Sequence, residues 1–294
     1  MQTLEKKRIP KPAWLKRNLP NSPDYENVRR LLRLSGLNTV CQEAKCPNMW
    51  ECFSKKTSTF MIMGAVCTRD CRFCNVATGT PGLLDPQEPV RVATAARDLG
   101  LEYVVVTSVT RDDLKDGGSS HFSFTISEIR SLMPEAGIEV LIPDFQGNPE
   151  SIDRIIKARP QVINHNIETV PSLYSRVRPQ ADYQRSLSLM RRVSQASDPL
   201  PVKSGIMVGL GETLDELVTT FEDLLNSGCS LLTIGQYLQP SRNHLPVDKY
   251  YPPEEFSSLK EKALEIGFAN VAAGPFVRSS YQAQALCTRA RLDL

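Results

Sequence analysis

Six of the chain's eight cysteines lie between Cys41 and Cys74, and they fall into two sets of three. The sets are Cys41-x4-Cys46-x5-Cys52 and Cys67-x3-Cys71-x2-Cys74. Cys71-Arg-Phe-Cys74 has the gap of a zinc hook, but structural zinc of that kind takes two hooks and four ligands. Disulfides suit small exported chains, and these 294 residues carry no export signal at the N-terminus. Three thiolates fit an iron–sulfur cubane, whose four irons each take one outer ligand. One iron is then left open to a small molecule or an unusual residue. The second set follows Phe60-Met-Ile-Met-Gly64, an apolar run that reads as a strand. Its loop therefore leaves a strand end, where α/β proteins put their sites.

The Cys67-x3-Cys71-x2-Cys74 loop resembles the signature of the radical S-adenosylmethionine (SAM) superfamily. There SAM chelates the open iron through its amino and carboxylate groups and is cleaved to methionine and a 5′-deoxyadenosyl radical. Cys41-Gln-Glu-Ala-Lys-Cys46-Pro-Asn-Met-Trp-Glu-Cys52 and Arg278-Ser-Ser-Tyr281 together resemble the lipoyl synthase family. The likeness continues through Thr110-Arg-Asp-Asp-Leu114, Asp116-Gly-Gly118, His165-Asn-Ile-Glu168 and Gly274-Pro-Phe-Val-Arg278.

That resemblance implies two [4Fe–4S] clusters, SAM, and insertion of two sulfurs at C6 and C8 of a protein-bound octanoyl chain. The auxiliary cluster on Cys41, Cys46 and Cys52 is implied to give up its own sulfide, and Ser280 to ligate that cluster's fourth iron. A hard alkoxide on a soft cluster would be a replaceable ligand. The implied partners are octanoylated lipoyl carrier domains (2-oxoacid dehydrogenase E2 subunits, glycine cleavage H protein) and an electron donor such as ferredoxin or flavodoxin. The chemistry explains the machinery: acid–base groups of ordinary pKa do not remove a proton from an unactivated C–H bond, whereas a radical cofactor takes the hydrogen atom.

Further residues have two readings each. Phe73 packs beneath its loop or lies against the SAM adenine. Thr107 and Ser108 end a predicted strand, so their hydroxyls either face the SAM amino group or, with Thr110-Arg111-Asp112-Asp113, build a turn. Asn166 and Glu168 suit ribose hydroxyls as donor and acceptor, while His165 beside them reads as structural. Arg178 is a surface arginine or a fixed guanidinium for the SAM carboxylate. Gly205-Ile-Met-Val-Gly209-Leu-Gly211-Glu212 is not a phosphate loop. It resembles the superfamily's G-x-I-x-G-x-x-E element, with Met207 where Ile is usual, and equally suits a tight strand–helix turn. Cys229 reads as a buried small hydrophobe, and Cys287 has no clear role. Asp70, Arg72 and Gln282 depart from the family's usual form without touching a presumed ligand.

These groups need a frame. Apolar, β-branched runs predict strands near 59–64, 102–109, 138–143, 162–168, 202–209 and 231–238. Helical patterns lie near 88–99, 121–133, 149–158, 182–196 and 213–226, with a capping box at Thr213-Leu-Asp-Glu216 and a stop at Gly228. Six strand–helix units with right-handed crossovers predict an α/β fold, a partial (β/α)6 TIM-type barrel. The expected parse is an extension over 1–58 carrying the first triad, the barrel over 59–250, and a C-terminal extension over 251–294. Ser22-Pro23-Asp24, a cap, a first-turn proline and an acid, opens a helix that stops near Gly36. Segment 37–58 reads as loops and short turns, and Pro252-Pro253 starts a helix through Leu264.

Composition narrows the partners. With 35 Lys+Arg against 33 Asp+Glu the net charge is +2, and 41% hydrophobic with 23% charged residues are ordinary globular values. Neither nucleic acid nor an anionic membrane is the expected partner. No run approaches the ~18 apolar residues of a membrane span, so the expectation is a soluble, cytoplasmic monomer. Lys6, Lys7, Arg8, Lys11, Lys16 and Arg17 read as a solvated arm. A two-cluster tRNA methylthiotransferase would need an RNA-binding domain and a basic surface. A ferredoxin-like carrier would not need the long run of βα units.

Overall fold

Strands buried on both faces must be apolar throughout, and the sheet is built from such runs. The computed structural model describes residues 9–16, 22–55 and 58–292, with side chains as far as Cys287. Of the N-terminal basic cluster, Lys6, Lys7, Arg8 and Arg17 lie outside the described residues.

After a single 3-10 turn at Ala13–Leu15 comes helix α1 (Pro23–Leu34), with proline in its first turn as expected. The Ser22 side chain, expected to cap it, makes no capping hydrogen bond. Strand β1 (Asn38–Thr39) then leads into two short helices, α2 (Val40–Glu43) and α3 (Met49–Ser54). The described part of segment 37–58 is thus more regular than loops and turns. The Thr39 hydroxyl accepts the Gln42 N–H to start α2, and Trp50 stacks on Tyr25 with ring centroids 4.1 Å apart, fixing α3 to α1.

The barrel follows: β2 (Thr59–Ile62), then a small parallel pair, β3 (Val66–Cys67) and β4 (Ala77–Thr78), that encloses the second cysteine loop. Alternation then sets in with α4 (Glu88–Asp98), β5 (Tyr103–Ser108), α5 (Ser119–Leu132), β6 (Gly137–Leu141), α6 (Pro149–Ala158) and β7 (Val162–Asn164). It continues through α7 (Tyr174–Val177), α8 (Tyr183–Ser194), β8 (Val202–Val208), α9 (Leu214–Asn226) and β9 (Cys229–Gln236). Last come α10 (Pro253–Ile266), β10 (Asn270–Gly274) and α11 (Ala283–Leu292).

All six expected strand–helix units are present, as a partial barrel. Pairing runs β1-β2-β5-β6-β7-β8-β9-β10, parallel throughout except for antiparallel β1 on β2. The sheet therefore takes one strand from each flanking segment, β1 before residue 59 and β10 after 250. Thr213 and Glu216 form the reciprocal capping box of α9, and Gly228 ends that helix at φ +82°.

One inward layer of the barrel is polar. Lys203 pairs with Glu139 at 2.8 Å, both buried, and Tyr103 and Asn164 donate to the same carboxylate. Beneath it, Leu286 and Cys287 of α11 pack against Val162 and Leu231. Cys287 is a packing residue there, and Cys229 is likewise buried. Among the described residues no helix is long and apolar enough to cross a membrane.

Candidate active site

The second cysteine set leaves the C-terminal end of β2, as expected. Cys67 Sγ accepts the backbone N–H of Thr110 at 3.2 Å, and the Cys74 N–H donates to the Cys71 carbonyl at 2.9 Å. Burial pushes the Cys74 thiol up to about 12, with Cys71 and Cys67 adding to the rise. Burial also raises Cys71, against the pull of the Arg178 guanidinium. Arg69, inside the loop, is 4% exposed and reaches Asp112 and Asp144, each at 2.6 Å. These bonds draw the loop onto the ends of β5 and β6. Burial alone would raise the Asp144 carboxyl, but Arg69 holds it far below the usual carboxylate range. From the other side the His244 Nε2 lies 2.8 Å from the Cys74 carbonyl.

The first set is carried by α2, α3 and the turn between them. Burial lifts the Cys41 thiol to about 12, and its neighbours Cys46 and Cys52 raise it further. Asn75 donates to the Glu43 carbonyl at 2.8 Å, linking the two cysteine segments. Two bonds bring the C-terminal segment to the same place. Asn48 donates to the Phe276 carbonyl at 2.6 Å, and the Tyr281 hydroxyl donates to Glu51 at 3.1 Å. Ser280, next to Tyr281, is thereby tethered to α3, the helix that carries Cys52.

All six cysteines, Ser280, Phe73, Thr107, Ser108, Asn166, Glu168 and Arg178 line one cavity of about 970 Å³. Within it the pairs of readings separate. The Thr107 hydroxyl donates to the Leu141 carbonyl at 2.9 Å and serves the sheet. The Ser108 hydroxyl is buried without a partner, as is Arg178 Nε. Arg178 is no surface arginine: its Nη1 donates to the Asn166 carbonyl at 2.9 Å, and it lies over the Tyr174 ring. Asn166 donates to Glu168 at 3.0 Å, and Glu168 sits in the left-handed region at φ +67°. Burial raises the Glu168 carboxyl. Phe73 both lines the cavity and packs against Val177, Leu210, Tyr237 and Val247.

The glycine-rich element divides its work. Gly205 and Met207 line the cavity. Gly209 and Gly211 instead build the turn at φ +101° and +115°, where the amides of Gly209, Leu210 and Gly211 donate to the Glu212 carboxylate. His165 is structural, with Nδ1 2.8 Å from the Ile142 carbonyl and Nε2 3.1 Å from the Ser186 hydroxyl. Sequence reasoning missed Arg69, Asp144 and His244, and it gave Ser279 no role of its own. Ser279 in fact donates to Asn166 Oδ1 at 2.8 Å.

The donor set fits two clusters and SAM. Six thiols line one cavity; Cys41 and Cys74 are raised first by burial and then by other cysteines of their own triads, a repulsion that bound iron would relieve. Among the described residues no three His, Cys, Asp or Glu side chains converge on a single-ion site; a cubane spreads its thiolates over separate irons. The Ser108 hydroxyl and Arg178 Nε, on two residues that line the cavity, are buried without a partner and so leave hydrogen-bonding capacity that a polar ligand could use.

The family model described as the radical SAM superfamily matches residues 61–224. The lipoyl synthase of Desulfotalea psychrophila is 55% identical over 291 residues, covering 99% of this chain and 97% of its own length. That of Caldanaerobacter subterraneus is 54% identical, covering 96% of this chain and 99% of its own. Among solved structures, methylornithine synthase superposes with TM-score 0.53 at 12% identity, over 93% of both chains. SuiB of Streptococcus suis bound to S-adenosylmethionine gives TM-score 0.56 at 11% identity, over 74% of this chain and 51% of that one.

Proposed function

The chain belongs to the lipoyl synthase family of the radical SAM superfamily, and from that premise we propose how its own residues divide the work. The activity is insertion of two sulfur atoms at C6 and C8 of an octanoyl group held on a lipoyl carrier protein, with two [4Fe–4S] clusters, SAM and a reductant. When bound, these groups supply hydrogen-atom abstraction and sulfide.

Cys67, Cys71 and Cys74 hold the SAM-binding cluster. Ser108 and Arg178 face the SAM amino and carboxylate groups, Asn166 and Glu168 its ribose, and Phe73 its adenine. Cys41, Cys46, Cys52 and Ser280 hold the auxiliary cluster. Met61, Val105, Leu141 and Met207, apolar residues lining the same cavity, suit the acyl tail. Segment 1–58 thus carries the sulfur source, 59–250 the radical chemistry, and 251–294 the serine ligand. The carriers are E2 subunits of 2-oxoacid dehydrogenases and the glycine cleavage H protein. The reductant is a ferredoxin or flavodoxin, and the enzyme works as a cytoplasmic monomer.

One observation carries this reading: both triads open into a single cavity that the C-terminal serine also lines. Anaerobic reconstitution followed by an assay on an octanoyl-lysine peptide tests it. The expectation is about eight irons per chain, two cubanes' worth, with dithiolated product. Four irons, or product from a chain bearing one cluster, would sink it.

A further inference from the structure

The chain leaves β2 for the second cysteine loop through two consecutive left-handed residues, Met63 at φ +69° and Gly64 at φ +91°. Glycine adopts that conformation freely and methionine does not, so Met63 has to be held. Its N–H donates to Glu88 Oε2 at 2.7 Å, and the same oxygen lies 2.7 Å from His121 Nε2. Glu88 opens α4 and His121 stands in the first turn of α5; both side chains are only 7% exposed. The Met63 sulfur sits where a Cβ on Gly118 would be, so Gly118 leaves room for it. The Asp116-Gly117-Gly118 element, without a part in the site so far, therefore meets the one turn that launches the cysteine loop.

We propose that Glu88 and His121 are positioning residues that clamp the left-handed Met63 turn and so fix where Cys67 presents its sulfur to the SAM-binding cluster. This rests on the assignment of Cys67, Cys71 and Cys74 to that cluster. Neither residue touches the cavity; they act through the Met63 amide. The Glu88 carboxylate is suited because one oxygen receives two donors, and His121 holds that oxygen in place.

The test compares reconstituted full-length parent, Glu88→Ala, Glu88→Gln and His121→Ala. Four readouts are taken: iron content, unfolding midpoint, the SAM-induced change in the electron paramagnetic resonance spectrum, and kcat/KM for SAM cleavage. Glu88→Ala should keep its iron, lose most of the SAM-induced spectral change, and lose roughly 10- to 100-fold in kcat/KM, the usual scale for groups that orient a metal ligand. Glu88→Gln keeps an oxygen for the Met63 N–H and should restore most of the loss. A lowered unfolding midpoint with a parental SAM response in Glu88→Ala would overturn the clamp. If Glu88→Ala does not fold, Met63→Gly decides, since glycine takes the turn unaided. In that background His121→Ala should have lost its effect, and an undiminished effect overturns the proposal. A parent protein without any SAM-induced spectral change would instead refute the cluster assignment itself.

Discussion

The Ser279 hydroxyl donates to the Asn166 side-chain oxygen over 2.8 Å, joining positions 113 residues apart. The other end of the same amide holds Glu168. Both groups crowd the α-carbon of Gly205, where an added Cβ would lie 2.8 Å from each. One serine thus seats the residues assigned to SAM, while its neighbour Ser280 lines the cavity that the first triad also lines.

Ser279→Ala should raise KM for SAM several-fold, because a hydrogen bond of this kind contributes about 1 kcal/mol. Gly205→Ala should cost more, since the new methyl displaces Asn166, Ser279 and Thr233 together. Initial rates of 5′-deoxyadenosine formation against SAM concentration measure both. A parental KM in Gly205→Ala would remove this contact from the site.

The strands were legible because β-branched apolar runs such as Val104-Val-Val106 have no other comfortable place. Strand β10 was not, for Asn270-Val-Ala-Ala-Gly274 carries little β signal of its own and becomes a strand by pairing with β9. The cysteine triads were legible from spacing alone. The bonds that aim them were not: Arg69 meets Asp112 and Asp144, 43 and 75 positions away, only once the loops after β5 and β6 lie side by side. Ser279 and Ser280 look alike in sequence, and their different surroundings come from Tyr281 anchoring on Glu51 and from Asn166.

Replacing Cys67, Cys71 and Cys74 by Ala should leave one cluster and abolish SAM cleavage. The loop itself should survive, since Arg69 still ties it to Asp112 and Asp144. Iron content and 5′-deoxyadenosine yield check this. Residual SAM cleavage would put the SAM site elsewhere.

Replacing Cys41, Cys46 and Cys52 by Ala separates radical generation from sulfur transfer. Besides the Asn75 link to α2, the β2 loop is held by Arg69 and His244, so 5′-deoxyadenosine should still form while lipoyl product vanishes. Mass spectrometry of an octanoyl-lysine peptide reads both. Any dithiolated product would contradict a sacrificial first-triad cluster.

His165 gives a pH signature. Burial, then the nearby Arg178, lowers its pKa from 6.5 to about 4. Between those values the unfolded chain holds a proton that the folded protein lacks. Stability is therefore complete above pH 6.5 and falls as pH drops toward 4, with a slope up to about 1.4 kcal/mol per pH unit. His165→Gln should flatten that part of the curve. Urea unfolding of the reconstituted protein between pH 5 and 7 checks it; an unchanged slope would mean another group is responsible.

Ser280 offers the sharpest test of the auxiliary cluster. Its segment is anchored on either side, by Asn48 on the Phe276 carbonyl and by Tyr281 on Glu51, so substitutions at Ser280 should leave the backbone where it is. If Ser280 ligates the fourth iron, Ser280→Ala strips that iron of its protein ligand while three cysteines remain to assemble the cluster. In Ser280→Cys a thiolate takes the oxygen's place, a better match for an iron–sulfur centre and a ligand harder to displace. Iron content should therefore persist in Ser280→Cys while complete two-sulfur turnover falls sharply. Anaerobic iron counts beside the yields of mono- and dithiolated peptide distinguish the variants. Equal activity of Ser280→Ala and the parent would take the serine out of the mechanism.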